Sequence, residues 1–192
     1  MGRIVVSDNV TLDGVGQDPT GEEGFRHGGW FAEVGGNDRE AFYKAALDEA
    51  LAAEAFLIGR RTYDFLASRW PSRTGELADR LNSLPKFVVS STLEDPAWTN
   101  VTVVKGDAVT EVSTLKQQLT GDIVVPASYQ LVHALFAHGL VDELRVVIYP
   151  FVLGAGKRLF GETNDKVRLQ LVDNRTLGDD LVYVTYAVAR AA

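Results

Sequence analysis

The sequence contains no cysteine among its 192 residues. This absence excludes disulfides, thiolate zinc sites, iron–sulfur clusters and thiol nucleophiles together. Histidine is scarce as well, because only His27, His133 and His138 are present. Their spacing does not match a zinc-binding motif. We therefore expect no tight metal site.

Long apolar runs and excess positive charge are also missing. No stretch approaches the roughly 20 residues that span a bilayer, and Asp8 comes too early for a secretory signal peptide. Lys and Arg number 19 against 26 Asp and Glu, a formal net charge of −7, which argues against binding to nucleic-acid phosphates. We expect a cytoplasmic protein whose partner is a small-molecule substrate, with no membrane or nucleic-acid partner.

Apolar residues make up 46% of the chain, which is enough for one sizeable core and predicts a single domain over residues 1–192. Asn37, Asp107 and Ser128 are expected to cap helices. The pattern predicts a three-layer α/β/α sandwich with a mostly parallel sheet and antiparallel C-terminal strands. We predict strands at residues 3–10, 55–58, 86–90, 101–104, 123–125, 142–150, 168–174 and 181–190, and helices at 37–51, 60–67, 75–83, 108–120 and 129–138.

Three turns follow parallel strands of this predicted sheet. In such sheets ligands bind at the carboxyl ends of the strands, where helix N-termini present N–H groups to anions. Glycine permits close approach, guanidinium groups bind phosphate bidentately, and hydroxyl groups suit a ribose 2′-phosphate. Each turn alone is equally compatible with an ordinary solvated loop, but together they predict a nucleotide-phosphate site. The turns are Gly59-Arg60-Arg61-Thr62, Ser90-Ser91-Thr92 and Pro126-Ala127-Ser128-Tyr129.

Several segments, in the same order, resemble the dihydrofolate reductase superfamily. Within it, they resemble the reductase domain of the bifunctional riboflavin-biosynthesis deaminase-reductases and its stand-alone relatives. The matching segments cover the chain from end to end. They are residues 6–7 with 11–14, 56–63, 86–91, 139–144 and 150–160.

The resemblance implies NADPH as cofactor and hydride transfer to a ribosylaminopyrimidine or pteridine-like substrate. The turn Ser90-Ser91-Thr92 is then expected near the adenosine end of the cofactor. The backbone of Val6-Ser7 and of Asp13-Gly14 is expected near the nicotinamide. Relatives commonly form homodimers through their C-terminal strands, so the apolar run 181–184 serves either a dimer interface or the intramolecular sheet. The implied cofactor-binding residues are Val6, Ser7, Gly14, Gly59, Arg60, Arg61, Thr62, Ser90, Ser91, Thr92, Ala127, Ser128, Tyr129, Gln130 and Leu131.

Hydride transfer to a C=N or C=O bond also requires a proton. Asp13, in the loop expected to lie over the nicotinamide, is the first candidate for contacting the substrate, although it equally suits a turn before Gly14. Glu33 is a second candidate acid because it lies beside apolar residues, with an exposed loop position as the alternative. Trp30 could stack on a planar heterocycle or simply anchor the loop.

One departure from the family pattern concerns the third turn. Relatives usually have Gly-Ser-Gly or Gly-Gly-Gly where this chain has Ala127-Ser128-Tyr129. Glycine adopts dihedrals that a Cβ resists, so we expect a narrower approach for the pyrophosphate. A catalytically weakened nucleotide-binding protein of the same fold therefore stays open. A dihydrofolate or pteridine reductase is a further alternative, disfavoured by Val132 where true dihydrofolate reductases carry a tyrosine.

Overall fold

Strands and helices alternate through most of the chain in the computed structural model, which describes residues 1–161 and 166–189. Two short 3-10 turns, Trp30–Ala32 and Trp70–Ser72, were not indicated by periodicity. Arg190, the predicted end of the last strand, lies outside the described residues. The strands are β1 (Arg3–Thr11), β2 (Ala53–Gly59), β3 (Lys86–Val89), β4 (Val101–Val104), β5 (Asp122–Pro126), β6 (Glu143–Tyr149), β7 (Leu169–Leu177) and β8 (Leu181–Val188); the helices are α1 (Gly36–Ala52), α2 (Arg60–Ala67), α3 (Glu76–Ser83), α4 (Ala108–Gln118) and α5 (Tyr129–Ala137).

The strands form one eight-stranded sheet in the order β4-β3-β2-β5-β1-β6-β8-β7. Strand β2 lies parallel to both β3 and β5, and β3 lies parallel to β4. Strand β8 lies antiparallel to both β6 and β7. The predicted mostly parallel sheet with antiparallel C-terminal strands is therefore confirmed.

The chain divides into two compact units, each with its own apolar cluster. The first unit consists of residues 1–6 and 46–142, and the second of residues 7–45 and the described residues from 143 onward. In the first unit, the apolar strand β2 contributes Phe56 and Ile58 to a cluster with Val88 and Trp98. Residues 55–58 are all buried, as is typical of a strand covered on both faces, and the strand predicted there is confirmed.

The three predicted helix caps have different outcomes. Asp107 caps α4 as expected, because its Oδ1 accepts a hydrogen bond from the Thr110 backbone at 2.9 Å. Ser128 occupies the cap position of α5, but its side chain makes no capping bond. The prediction for Asn37 is wrong, because α1 already begins at Gly36 and the Asn37 side chain donates to Asp179 instead.

Asp38 explains the start of α1. Its carboxylate accepts hydrogen bonds from the backbone N–H groups of Asp180 (3.0 Å) and Asp179 (2.6 Å) in the β7–β8 turn. These bonds, led by that of Asp180 and opposed by burial, hold the pKa of Asp38 below its usual value. A contact distant in the chain therefore fixes the first turn of the helix, which local spacing could not reveal.

Within the described ranges, every helix falls short of the length or apolar character needed to cross a membrane.

Candidate functional site

The three predicted turns lie at one edge of the sheet in the first unit. Strand β2 is flanked by β3 and β5, with all three parallel, so their carboxyl ends point the same way. Gly59 at the end of β2 lies opposite Val89 at the end of β3, and Phe56 lies opposite Val124 in β5. The rule that ligands bind at the carboxyl ends of parallel strands therefore points to turns that are neighbours in the structure.

Ser128 joins two of these turns. Its Oγ accepts a hydrogen bond from the Gly59 backbone N–H at 3.1 Å and donates to Thr62 Oγ1 at 2.9 Å. The turns that begin α2 and α5 are thus held together by one hydroxyl group. The Gly59 N–H is therefore used inside the protein, while its predicted close approach to a phosphate stays a prediction. Thr62 keeps its own hydroxyl proton for a further partner.

The turn before α5 has a glycine-like backbone although it lacks glycine. Ala127 has φ 48°, and Ser128 has φ 58° and ψ 44°, both left-handed. For residues with a Cβ this conformation costs roughly 1–2 kcal/mol each. The Ser128 hydrogen bonds and the burial of Val132 in the following helix offset that cost. The dihedrals that the sequence led us to doubt are therefore adopted.

Arg60 brings the first and second turns together. Its Nε lies 2.9 Å from both carboxylate oxygens of Asp64, one helical turn later, and its Nη1 lies 3.5 Å from Thr92 Oγ1. Arg61 is exposed beside it. Periodicity alone did not single out Asp64, although the i,i+4 spacing from Arg60 is a signal that could have found it.

The serines of the second turn differ in use. Ser90 Oγ accepts hydrogen bonds from the backbone of Thr92 at 3.2 Å and of Leu93 at 3.1 Å. Ser90 therefore shapes the turn, and its hydroxyl proton stays available as a donor. Ser91 is exposed.

The remaining implied cofactor residues include side chains that face the interior. Leu131 in α5 is 7% exposed and Val6 in β1 is fully buried, so only their backbones could meet a ligand. Tyr129 is half-buried and Gln130 is exposed at the start of the helix. Ser7 continues β1 and is half-buried.

Asp13, in the second unit, has a structural role. Its carboxylate accepts hydrogen bonds from Thr11 Oγ1 (2.7 Å) and from the backbones of Leu153 (3.2 Å) and Gly154 (2.9 Å), and Arg158 Nε donates to its backbone oxygen. The Thr11 bond, opposed by burial and helped by the two backbone bonds, lowers the pKa of Asp13. An ionised carboxylate is a poor proton donor at neutral pH, which argues against the predicted catalytic role.

Gly14 follows Asp13 in the same turn. It has φ 80°, and its N–H donates to the Thr11 carbonyl oxygen at 2.8 Å. Such a conformation suits glycine.

Trp30 and Glu33 have the surroundings of the structural alternatives that the sequence left open. Trp30 is 1% exposed, donates from Nε1 to the Gln17 carbonyl oxygen at 3.2 Å and packs edge-on against Tyr149 with ring centroids 5.0 Å apart. It is therefore a loop anchor, and no face is left for a heterocycle. Glu33 is exposed at the end of the short 3-10 turn. Its carboxylate therefore lacks the apolar surroundings expected of the candidate acid.

No group of three or more His, Asp or Glu side chains able to hold a metal ion occurs among the residues that the structure describes.

Comparison with solved structures identifies the fold. The chain is similar to a putative riboflavin biosynthesis protein from Shewanella sp. PV-4, with a TM-score of 0.76 and 22% identity over 98% of this chain and 99% of that one. It is similar to a Thermotoga maritima diaminohydroxyphosphoribosylaminopyrimidine deaminase/5-amino-6-(5-phosphoribosylamino)uracil reductase, with a TM-score of 0.64 and 14% identity over 98% of this chain and 57% of that one. Dihydrofolate reductase from Enterococcus faecalis, complexed with NADP(H) and RAB-propyl, gives a TM-score of 0.55 and 15% identity over 98% and 97%.

Comparison of sequences identifies the family. A curated relative, the uncharacterized protein YyaP of Bacillus subtilis (strain 168), is 28% identical over 189 residues, which are 96% of this chain and 94% of that protein. The family model of the RibD C-terminal domain matches residues 3–183. The chain therefore belongs to the RibD C-terminal domain family and has a dihydrofolate reductase-like fold.

Proposed function

We propose that the protein is an NADPH-dependent reductase that acts on a ribosylaminopyrimidine or pteridine-like substrate, as a 5-amino-6-(5-phosphoribosylamino)uracil reductase does. Family membership supports the reductase class. The observation that carries the cofactor assignment is the junction at Ser128, where the turns that begin α2 and α5 meet. Its left-handed backbone is one that glycine adopts readily, and the family resemblance implies glycine at this turn in relatives.

The residues of the first unit suit a nucleotide that carries several phosphates. Arg60 and Arg61 would hold phosphate groups, since guanidinium groups bind them bidentately. Thr62 and Thr92 would add hydroxyl donors, and the start of α5 would add its backbone N–H groups. When bound, NADPH supplies the hydride, while the protein orients it and sets the surrounding electrostatics.

The proton that accompanies the hydride is proposed to come from water. Asp13 is held as a carboxylate by its hydrogen bonds, and Glu33 is exposed. Water can serve as the acid when no side chain is suitably placed.

The surroundings of Asp13 and Glu33 favour a second candidate, a nucleotide-binding protein of this fold with weakened catalysis. Hydrogen bonds hold the Asp13 carboxylate ionised, and Glu33 is exposed at the surface. Such a protein would bind NADPH without turnover.

An activity assay separates these candidates. Loss of NADPH absorbance would be followed with 5-amino-6-(5-phosphoribosylamino)uracil and, in parallel, with dihydrofolate. Turnover with the pyrimidine and little with dihydrofolate is expected. Saturable NADPH binding without turnover on either substrate would favour the weakened protein. Preferred turnover of dihydrofolate would favour a dihydrofolate reductase.

We further propose a homodimer formed through the C-terminal strands. Strand β8 is paired on both sides, by β6 and β7, so a second copy would meet the face of β8 and the exposed strand β7. Leu171 and Val172 in β7 are 49% and 59% exposed, and Val182 in β8 is 42% exposed. Sedimentation of the protein beside a Leu171→Lys variant tests this, and a monomeric wild-type protein would contradict it.

A further inference from the structure

A carboxylate occupies one side of the arginine expected to bind phosphate. Asp64 lies one turn after Arg60 on α2, and Arg60 Nε is 2.9 Å from both of its oxygens. The two side chains are 41% and 53% exposed, so the pair lies at the protein surface where a ligand can reach it. Thr92 Oγ1 lies 3.5 Å from Nη1 on the other side of the guanidinium group.

This arrangement affects how a phosphate can bind. A guanidinium group offers its donors as a planar fork, and the edge that includes Nε is one of those that match a phosphate. That edge of Arg60 already meets a carboxylate. An incoming phosphate must therefore displace Asp64 or bind beside it, and two negative groups on one guanidinium repel each other.

We propose that Asp64 determines how strongly the site distinguishes nucleotides with a 2′-phosphate from those without one. The inference rests on the proposed function, in which Arg60 and Arg61 hold phosphate groups, and it assigns the 2′-phosphate to Arg60. Asp64 acts as an internal competitor for Arg60 and lowers the affinity for 2′-phosphorylated nucleotides. Nucleotides that lack the 2′-phosphate leave the ion pair in place and are indifferent to it.

Calorimetric titration of the full chain with 2′,5′-ADP and with 5′-AMP tests the proposal without any turnover. Asp64→Asn keeps the shape and one hydrogen-bond acceptor but removes the charge. We expect its Kd for 2′,5′-ADP to fall about 3- to 5-fold, the upper part of the range of an exposed charge pair, and its Kd for 5′-AMP to stay within about 2-fold. The gain should shrink at high salt because exposed charges are screened.

Glu111→Gln provides the matched control, since it removes an exposed carboxylate from α4. It should leave both dissociation constants within about 2-fold. Thermal unfolding checks that the variants fold, and Asp64→Ser replaces Asp64→Asn if that variant does not.

Three results would overturn the inference. An unchanged or higher Kd of Asp64→Asn for 2′,5′-ADP would show that Asp64 does not compete. Equal gains for both nucleotides, or the same gain in Glu111→Gln, would assign the effect to overall charge. If the wild-type protein binds 2′,5′-ADP, these results leave the proposed function intact; if neither nucleotide binds any variant, the proposed function fails with the inference.

Discussion

The strand-end turns of the first unit and the loop residues of the second unit differ in how they use the side chains suggested by the sequence. In the first unit, Thr62 and Ser128 are joined by a hydrogen bond, and Arg60 lies beside Thr92. In the second unit, the polar groups of Asp13 and Trp30 form hydrogen bonds with the protein's own backbone. Both units contain side chains suited to ligand binding or catalysis, but those of the loop are hydrogen-bonded to the protein's own backbone.

The difference has a physical origin. The ends of adjacent parallel strands must lie at one edge of a sheet, so topology alone brings their turns together. A loop has no such rule. A carboxylate or an indole in a long loop is used first to satisfy buried backbone groups, because leaving them unpaired is costly.

The largest expected effect concerns Trp30. Trp30→Ala removes a fully buried ring that packs on Tyr149, so we expect the free energy of unfolding to fall by about 3–5 kcal/mol. Chemical denaturation measures this. Trp70→Ala, at a half-buried position, should lose less than half as much. A Trp30→Ala protein that unfolds like wild type but no longer binds substrate would restore the stacking role.

The next effect concerns the paired arginines. Arg60→Ala combined with Arg61→Ala removes charge-assisted bonds to phosphate, so we expect NADPH affinity to fall about 30-fold, or about 2 kcal/mol. NADH affinity should fall less than about 3-fold, as measured by calorimetry.

Arg69→Ala is the control for that experiment, because its guanidinium group lies 3.7 Å above the Phe65 ring and is not part of the site. Equal losses of affinity for NADPH and NADH in the double variant would show that the two arginines do not recognise the 2′-phosphate.

A smaller effect concerns Asp13. Asp13→Asn should lower the free energy of unfolding by about 1 kcal/mol at pH 7, because the ionised carboxylate braces the turn at Gly154. The pKa of Asp13 is lowered in the folded protein, so this stabilisation is present above the ordinary value of 3.8 and is lost as the pH falls through the lowered pKa. Denaturation at pH 7 and near pH 3 should show the deficit shrinking.

The same variant bears on catalysis. Asp13→Asn should keep kcat within about 3-fold of wild type, and Glu33→Gln should do the same. A loss of kcat by 100-fold or more in Asp13→Asn, the scale of general acid catalysis, would make Asp13 the proton donor after all.

The smallest effect concerns the third turn. Ala127→Gly relieves a left-handed residue but adds flexibility to the unfolded chain, so we expect a net gain of about 0.5 kcal/mol. Ala134→Gly, inside α5, should instead lose about 1 kcal/mol. NADPH affinity should stay within about 3-fold in Ala127→Gly. A much larger gain would show that the Ala127 methyl group narrows the approach, as the sequence suggested.

Much of the fold was predictable because hydrophobic periodicity and β-branched runs are local signals. Helix α2 and strand β4 have their predicted bounds. The start of α1 was not predictable, because Asp38 and the distant β7–β8 turn decide it.

The candidate site was predictable in part. Topology selected the turns that contain Gly59 and Ser128, but not the hydroxyl bridge between them or the carboxylate of Asp64 beside Arg60. Those contacts depend on side-chain rotamers and on the left-handed backbone at Ala127. The sequence does not suggest that backbone, because it is expected at glycine and not at alanine.

We propose that a turn without glycine still completes an NADPH site beside Ser128. Titration of the full chain with NADPH, followed by tryptophan quenching and calorimetry, tests it most directly. We expect saturable binding with one NADPH per chain and a Kd below about 1 mM, which corresponds to a binding free energy of more than about 4 kcal/mol. Absence of saturable binding at sub-millimolar NADPH would contradict it.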